Sequence, residues 1–217
     1  MNYNGKVEVG GPAHVRELAD LMINKVAVGE MNNNAYLLRC RHTDEQVLID
    51  AANEAETLIS LIGSGGLARV VTTHRHPDHW QALAAVVSAT GARTVAGEPD
   101  ADDLPVIVDE RVVDGDTIAV GRSVLKVVQI AGHTPGSIAL VYDDPDGEPH
   151  IFVGDCLFPG GVGKTWSPED FTTLLGDVES KVFDALPDET WVYPGHGDDT
   201  TLGTERPHIP EWRERGW

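Results

Sequence analysis

Within "VTTHRHPDHW" (residues 71–80), three histidines and one aspartate, His74, His76, Asp78 and His79, fall in six residues directly behind a β-branched run. Imidazoles and a carboxylate crowded in this way either cost desolvation or bind something positive. Single exposed histidines do not reach this density, so the stretch reads as metal-binding. Three more candidate donors stand beside glycine at the ends of apolar runs: His133 in "AGHTPGS", Asp155 in "FVGDCLF" and His196 in "VYPGHGD". In each, a strand delivers the chain, glycine lets the backbone approach closely, and a polar residue emerges at the tip. Alone, each is an ordinary turn residue; together the four segments make a coordination set.

The elements that must carry these residues are mostly strands. Short β-rich runs occur at 25–28, 35–40, 46–51, 69–73, 123–130, 138–142, 150–154 and 190–194, and "DDPDGEP" (143–149) reads as a hairpin turn between two of them. Pro77 and the strand before it predict a loop around His76, leading into a helix from about residue 79. Such a loop aims several donors at one point, whereas a continuous strand would turn Arg75 away from its neighbours. A helix capped by Asn53, with Glu56 three positions on, is expected to carry Leu58, Leu61 and Ile62 and to stop at Gly63. The clearest helix starts at Ser167, with Pro168 at its first position and Asp170 in its first turn; Phe171, Leu174, Leu175, Val178, Val182, Phe183 and Leu186 form a core stripe. Strands interleaved with helices predict an α/β class, with sheets covered by helices.

At 217 residues, with 41% hydrophobic content, the chain is expected to form a single domain, residues 1–217. A formal net charge of -19 disfavours nucleic acid and anionic membrane surfaces as partners. No apolar run approaches membrane-spanning length, and the amino terminus shows no basic region followed by an apolar one, so a cytoplasmic location is expected. Two cysteines, Cys40 and Cys156, are too few for a disulfide framework or a thiolate zinc site. Cys156 follows Asp155, and strand alternation turns it to the opposite face as a small buried residue. His14 and His42 read as surface residues, His150 as a strand opener without a role, and His208 stays unassigned.

"THRHPDH", "GHTPGS", "GDCLF" and "YPGHG", in this order, resemble the motifs of the metallo-β-lactamase superfamily, and within it the glyoxalase II-like thioesterase branch. The resemblance runs from "NNAYLL" to "TLGTERPH", nearly the whole chain. It implies an αββα four-layer sandwich, two mixed sheets flanked by helices, with two divalent metal ions along one edge. On that pattern His74, His76 and His133 hold the first ion, Asp78, His79 and His196 the second, and Asp155 bridges both, so Asp78 and Asp155 are the carboxylates of the catalytic centre. Five imidazoles and two carboxylates without a thiolate suit zinc, iron or manganese and do not choose among them; zinc is the first expectation. The expected chemistry is attack on a small-molecule thioester or related ester by a hydroxide shared between the ions.

"FPGGVGKTW" (158–166) is not a nucleotide-binding phosphate loop, because the required first glycine falls on Phe158. In the glyoxalase II pattern this segment carries a lysine and an aromatic that contact the glutathione part of the substrate, and Lys164 and Trp166 match those positions. Two departures stand out. "DHWQAL" places Trp80 and Gln81 where glyoxalase II has glycines, which is expected to narrow that corner. The sequence given also ends near where a helical extension with further glutathione contacts begins, which opens the substrate to a shorter thiol, another acyl group, an ester or a lactone. The alternative in the same branch is a persulfide dioxygenase-like oxidoreductase with one iron; its tail motif resembles "YPAHDY", whereas this chain has "YPGHG".

Overall fold

The computed structural model describes residues 3–216. Strands β1 (His14–Glu17), β2 (Leu21–Val28), β3 (Asn33–Cys40), β4 (Gln46–Ile49), β5 (Arg69–Thr72), β6 (Arg93–Gly97) and β7 (Glu110–Val112) form one sheet in sequence order. The first four pair antiparallel and the last four parallel. Helices α1 (Ala55–Ile62) and α2 (Leu83–Thr90) make two of the crossovers the parallel half requires, and a 3-10 segment, Glu98–Asp103, lies on the third. The second sheet begins with β8 (Thr117–Val120), β9 (Ser123–Gln129), β10 (Ile138–Tyr142) and β11 (His150–Gly154). A small hairpin of β12 (Leu157–Phe158) and β13 (Gly161–Val162) follows, then α3 (Pro168–Val178), β14 (Trp191–Pro194), β15 (Thr200–Thr201), α4 (Leu202–Glu205) and α5 (Ile209–Arg215). In space the second sheet runs β15-β14-β11-β10-β9-β8, with β11 and β14 parallel and the other pairs antiparallel.

Strand alternation builds the layers. Tyr36, Leu38, Val47, Ile49 and Val71 of the first sheet meet Leu125, Val127, Leu140, Phe152 and Tyr193 of the second in a core between the sheets. Leu37, Leu48 and Val70, of opposite parity, pack under α1 and α2. Ala139, Val141, Ile151, Val153 and Val192 pack under α3 and α5. Both parities are apolar because each sheet is covered on both faces. The result is the αββα sandwich of two mixed sheets.

The helix from Ser167 forms as its sequence predicts: the Ser167 hydroxyl accepts from the Asp170 amide at 3.1 Å, and the stripe from Phe171 to Val178 is buried, continuing through a π-helical turn at Glu179–Phe183. Three expectations are corrected. Asn53 does not cap α1: the helix is preceded by Glu54 at φ 49 with no side-chain cap, because Asn53 turns to Gln81 at 2.6 Å. After Asp78 the chain makes only a 3-10 turn, Pro77–His79, and the α-helix starts at Leu83. His150 opens β11 as expected, and it is an interior residue, 2% exposed with its Nδ1 3.0 Å from the Tyr193 hydroxyl. His14, expected at the surface, is half-buried against the Tyr3 ring, their centres 5.1 Å apart.

Candidate metal centre

Strand direction decides where the candidate donors meet. β9 and β11 both run antiparallel to β10, and β14 runs parallel to β11, so these three strands end on the same edge of their sheet. His133, Asp155 and His196 follow those ends, and His74 to His79 follow the end of β5 on the facing sheet. The structure brings all seven together. His76 Nδ1 lies 2.9 Å from His133 Nε2, which lies 3.3 Å from His74 Nε2. His196 Nε2 is 3.2 Å from Asp78 Oδ2, which is 3.5 Å from His79 Nε2. Asp155 sits between the two groups, 3.2 Å from His79 Nε2, 3.5 Å from His196 Nε2 and 3.7 Å from His133 Nε2.

The outer nitrogens fix the tautomers. His133 Nδ1 meets the Lys164 carbonyl at 2.7 Å, His196 Nδ1 the Met31 carbonyl at 2.9 Å, and His79 Nδ1 the Asp50 carboxylate at 2.8 Å. These partners only accept, so each Nδ1 carries a proton and each Nε2 faces inward, where on a neutral ring it presents a lone pair. The Thr73 hydroxyl donates to Asp50 at 2.8 Å and lies 3.1 Å from His74 Nδ1, which orients that ring likewise.

Two buried carboxylates that the sequence reading passed over hold the loops. Asp50, 2% exposed just beyond β4, also accepts the Thr73 amide at 2.8 Å. Asp100 takes the Arg75 amide at 3.0 Å, the Thr134 hydroxyl at 2.6 Å and the Gly136 amide at 2.8 Å, tying the first histidine loop to the loop of His133. A polar residue directly after an apolar run, the signal that marked Asp155, was present for Asp50 in "QVLID". Asp100 lies in "GEPDADD", where neighbouring acids mask it. Gly195 is required for close approach: a Cβ there would collide with Asp155 Oδ1 and come within 2.7 Å of His79 Cε1. Trp80 does not narrow the corner, because its indole donates to the Arg75 carbonyl at 2.7 Å and packs inward; Gln81 does line the cleft there.

Burial holds His74, His76 and His133 below their usual pKa, with neighbouring imidazoles adding to the effect, so all three are neutral. Burial also opposes charge on His79 and His196, but carboxylates outweigh it: Asp155 and Asp50 hold His79 well above its usual value, and Asp155 with Asp78 raises His196 to about 10. Asp78 and Asp155 stay ionised, both held below the usual range against the effect of burial, Asp78 mainly by His196 and Asp155 mainly by His79. His79 Nε2 and Asp155 Oδ1 are buried without a hydrogen-bond partner. Inward-facing imidazole nitrogens and carboxylates converging on one place are what a divalent cation satisfies, so the donor set fits divalent metal ions, with His74, His76 and His133 at one end, Asp78, His79 and His196 at the other, and Asp155 grouped with His74 and His79 between them.

Residues 28–196 match the family described as the metallo-beta-lactamase superfamily. The chain belongs to that superfamily. Its curated relatives within the superfamily include a hydroxyacylglutathione hydrolase of a Polaromonas species, 34% identical over 179 residues, which are 81% of this chain and 66% of that one. The chain spans about two thirds of the length of the hydroxyacylglutathione hydrolases it matches. Among solved superfamily structures, the BLEG-1 B3 metallo-beta-lactamase is 26% identical with a TM-score of 0.77, over 88% of this chain and 99% of that one. TTHA1623, solved in a di-iron-bound form, is 31% identical with a TM-score of 0.69, over 84% of this chain and 96% of that one.

The remaining candidates separate clearly. Lys164 Nζ stands 4.4 Å from the centre of the Trp166 ring, and that ring 6.3 Å from the ring of His76, so both form a lip beside the first group of histidines. Cys156 is 1% exposed on the opposite face, and burial pushes its thiol far above its usual pKa. His208 is exposed, 3.7 Å from Glu211. No helix among the described residues is long and apolar enough to cross a membrane.

Proposed function

We propose that the chain hydrolyses a small-molecule thioester, or a related ester, at two divalent ions. His74, His76 and His133 would hold one, Asp78, His79 and His196 the other, with Asp155 shared. Bound there, the ions supply the charge that acidifies water near neutral pH and polarises an ester carbonyl. Zinc is the first expectation, and the di-iron form of TTHA1623 keeps iron in view. The observation that carries the reading is the convergence of four strand ends on one point, with ring nitrogens and carboxylates turned inward and two buried atoms, His79 Nε2 and Asp155 Oδ1, left without a hydrogen bond.

The chain's own residues divide the substrate. On the His76 side, Lys164 and Trp166 offer an ammonium and an aromatic face, which suit a carboxylate and its carbon chain. On the Asp78 side a cleft of about 530 Å³ is walled by Glu30, Met31, Glu54 and Gln81, with no basic residue among its lining. The anionic end of the substrate therefore belongs at Lys164. In a protein of net charge -19 this lysine has few competitors for it. Free, buried Cys40 and Cys156 accord with a reducing, cytoplasmic setting.

Elemental analysis of purified protein, combined with turnover on thioesters, lactones, a β-lactam and a glutathione persulfide, tests the reading. Two metal equivalents with thioester cleavage are expected. One iron with oxygen consumption on the persulfide would replace hydrolysis with oxidation. Retention of both metal and turnover by His76→Ala would remove that residue from the centre.

A further inference from the structure

We propose that Lys25 is the positioning residue of His196, and that the Tyr3–Gly5 segment is a strap completing its grip. This inference rests on the two-metal reading above. Lys25 lies on β2, is 0% exposed, and its ammonium has three acceptors: the Gly5 carbonyl at 2.8 Å, the Gly197 carbonyl at 2.7 Å and Asp199 Oδ1 at 2.6 Å. All three N–H groups are thereby used. Gly197 directly follows His196, stands at φ +72, and takes a second donor at the same carbonyl from Asn34 at 2.9 Å. Asn34 also holds the Gly195 carbonyl through its amide at 2.7 Å and the Pro194 carbonyl through its side chain at 2.9 Å.

The other oxygen of Asp199 accepts the Tyr3 hydroxyl at 2.6 Å and the Trp191 indole at 2.9 Å. Gly5, at φ +75, lies so close that a Cβ would stand 2.7 Å from Asp199 Cβ. A buried ion pair adds little to stability relative to apolar replacements. Its charge-assisted bonds do fix geometry where water cannot substitute. Here they fix the turn that presents His196, while His74, His76 and His133 stand on other strands and serve as an internal control.

The test compares the whole chain with Lys25→Met/Asp199→Leu, which removes both buried charges together, and with Gly5→Ala, which lifts the strap and leaves the charges in place. Equilibrium dialysis against zinc reads the two equivalents separately. Thermal melting and amide hydrogen exchange read the metal-free protein. In both variants the first equivalent is expected to bind as in the wild type and the second to weaken by about 10- to 100-fold, with faster exchange confined to residues 195–199. Should the double variant not fold, Gly5→Ala decides alone. An unchanged second equivalent, or equal loss at both positions along with a general fall in melting temperature, overturns the proposal. A wild-type chain holding fewer than two equivalents defeats the two-metal reading instead. Exchange in the metal-free variants then still decides the positioning, and unaltered protection of the turn overturns it.

Discussion

His79 owes its orientation to Asp50, which lies outside the histidine cluster. Asp50→Asn keeps an oxygen for the Thr73 amide but removes the anion that holds His79 Nδ1–H. Zinc affinity at the Asp78, His79 and His196 group is expected to fall by about 10- to 100-fold, with a smaller loss at the other group, whose His74 is reached by Asp50 only through the Thr73 hydroxyl, as read by competition with a chromophoric chelator. His150 tests a residue outside the centre. Burial, and after it Arg16, lowers its pKa to about 3, from 6.5 in the unfolded chain. Between those values the unfolded chain binds more protons than the folded one, so the stability His150 contributes is complete above pH 6.5 and lost as pH falls toward 3. The melting-temperature advantage of the wild type over His150→Gln should therefore shrink steadily from pH 7 to pH 4; an advantage independent of pH would refute the shift.

Helix α3 and the turn after β14 show two ways in which an element serves the centre. The Ser167 cap starts α3 immediately after the Lys164 and Trp166 lip, and Ser167→Ala should lower stability by about 1 kcal/mol in urea unfolding. The turn depends on an absent side chain. Gly195→Ala would drive a Cβ into Asp155 and toward His79. It is expected to lose metal while its far-ultraviolet circular dichroism stays that of the wild type. The sequence showed such elements unevenly. The apolar runs of β3, β10 and β11 and the stripe of α3 were legible because their burial repeats at the period of the element. Strands β6, β7 and β8 were not, since each is short and becomes a strand through the ladder its neighbours offer.

At the scale of the whole molecule, the proposed ions would lie between two sheets: β5 of one supplies the histidine loop, and β9, β11 and β14 of the other supply His133, Asp155 and His196. Metal bound there stabilises the folded chain by mass action, about 2.7 kcal/mol per ion at a free concentration of 100 times Kd. Chelation should lower the melting temperature, and zinc should restore it in step with the return of turnover. A melting temperature indifferent to both would mean that the ions do not join the sheets.

From local patterns, apolar strand runs, glycine-flanked strand ends and clustered imidazoles, the sequence alone determined an α/β class and seven candidate donors, and its resemblance to a known superfamily implied the four layers. It could not give the supports. Asp100 meets Thr134 and Gly136 across 34 and 36 residues. Lys25, which opens the β-rich run 25–28, is buried against Gly197 and Asp199, 172 and 174 residues away. A lone acid or lysine carries no local sign of burial, since the partners that make its burial affordable are assembled only when the chain closes on itself.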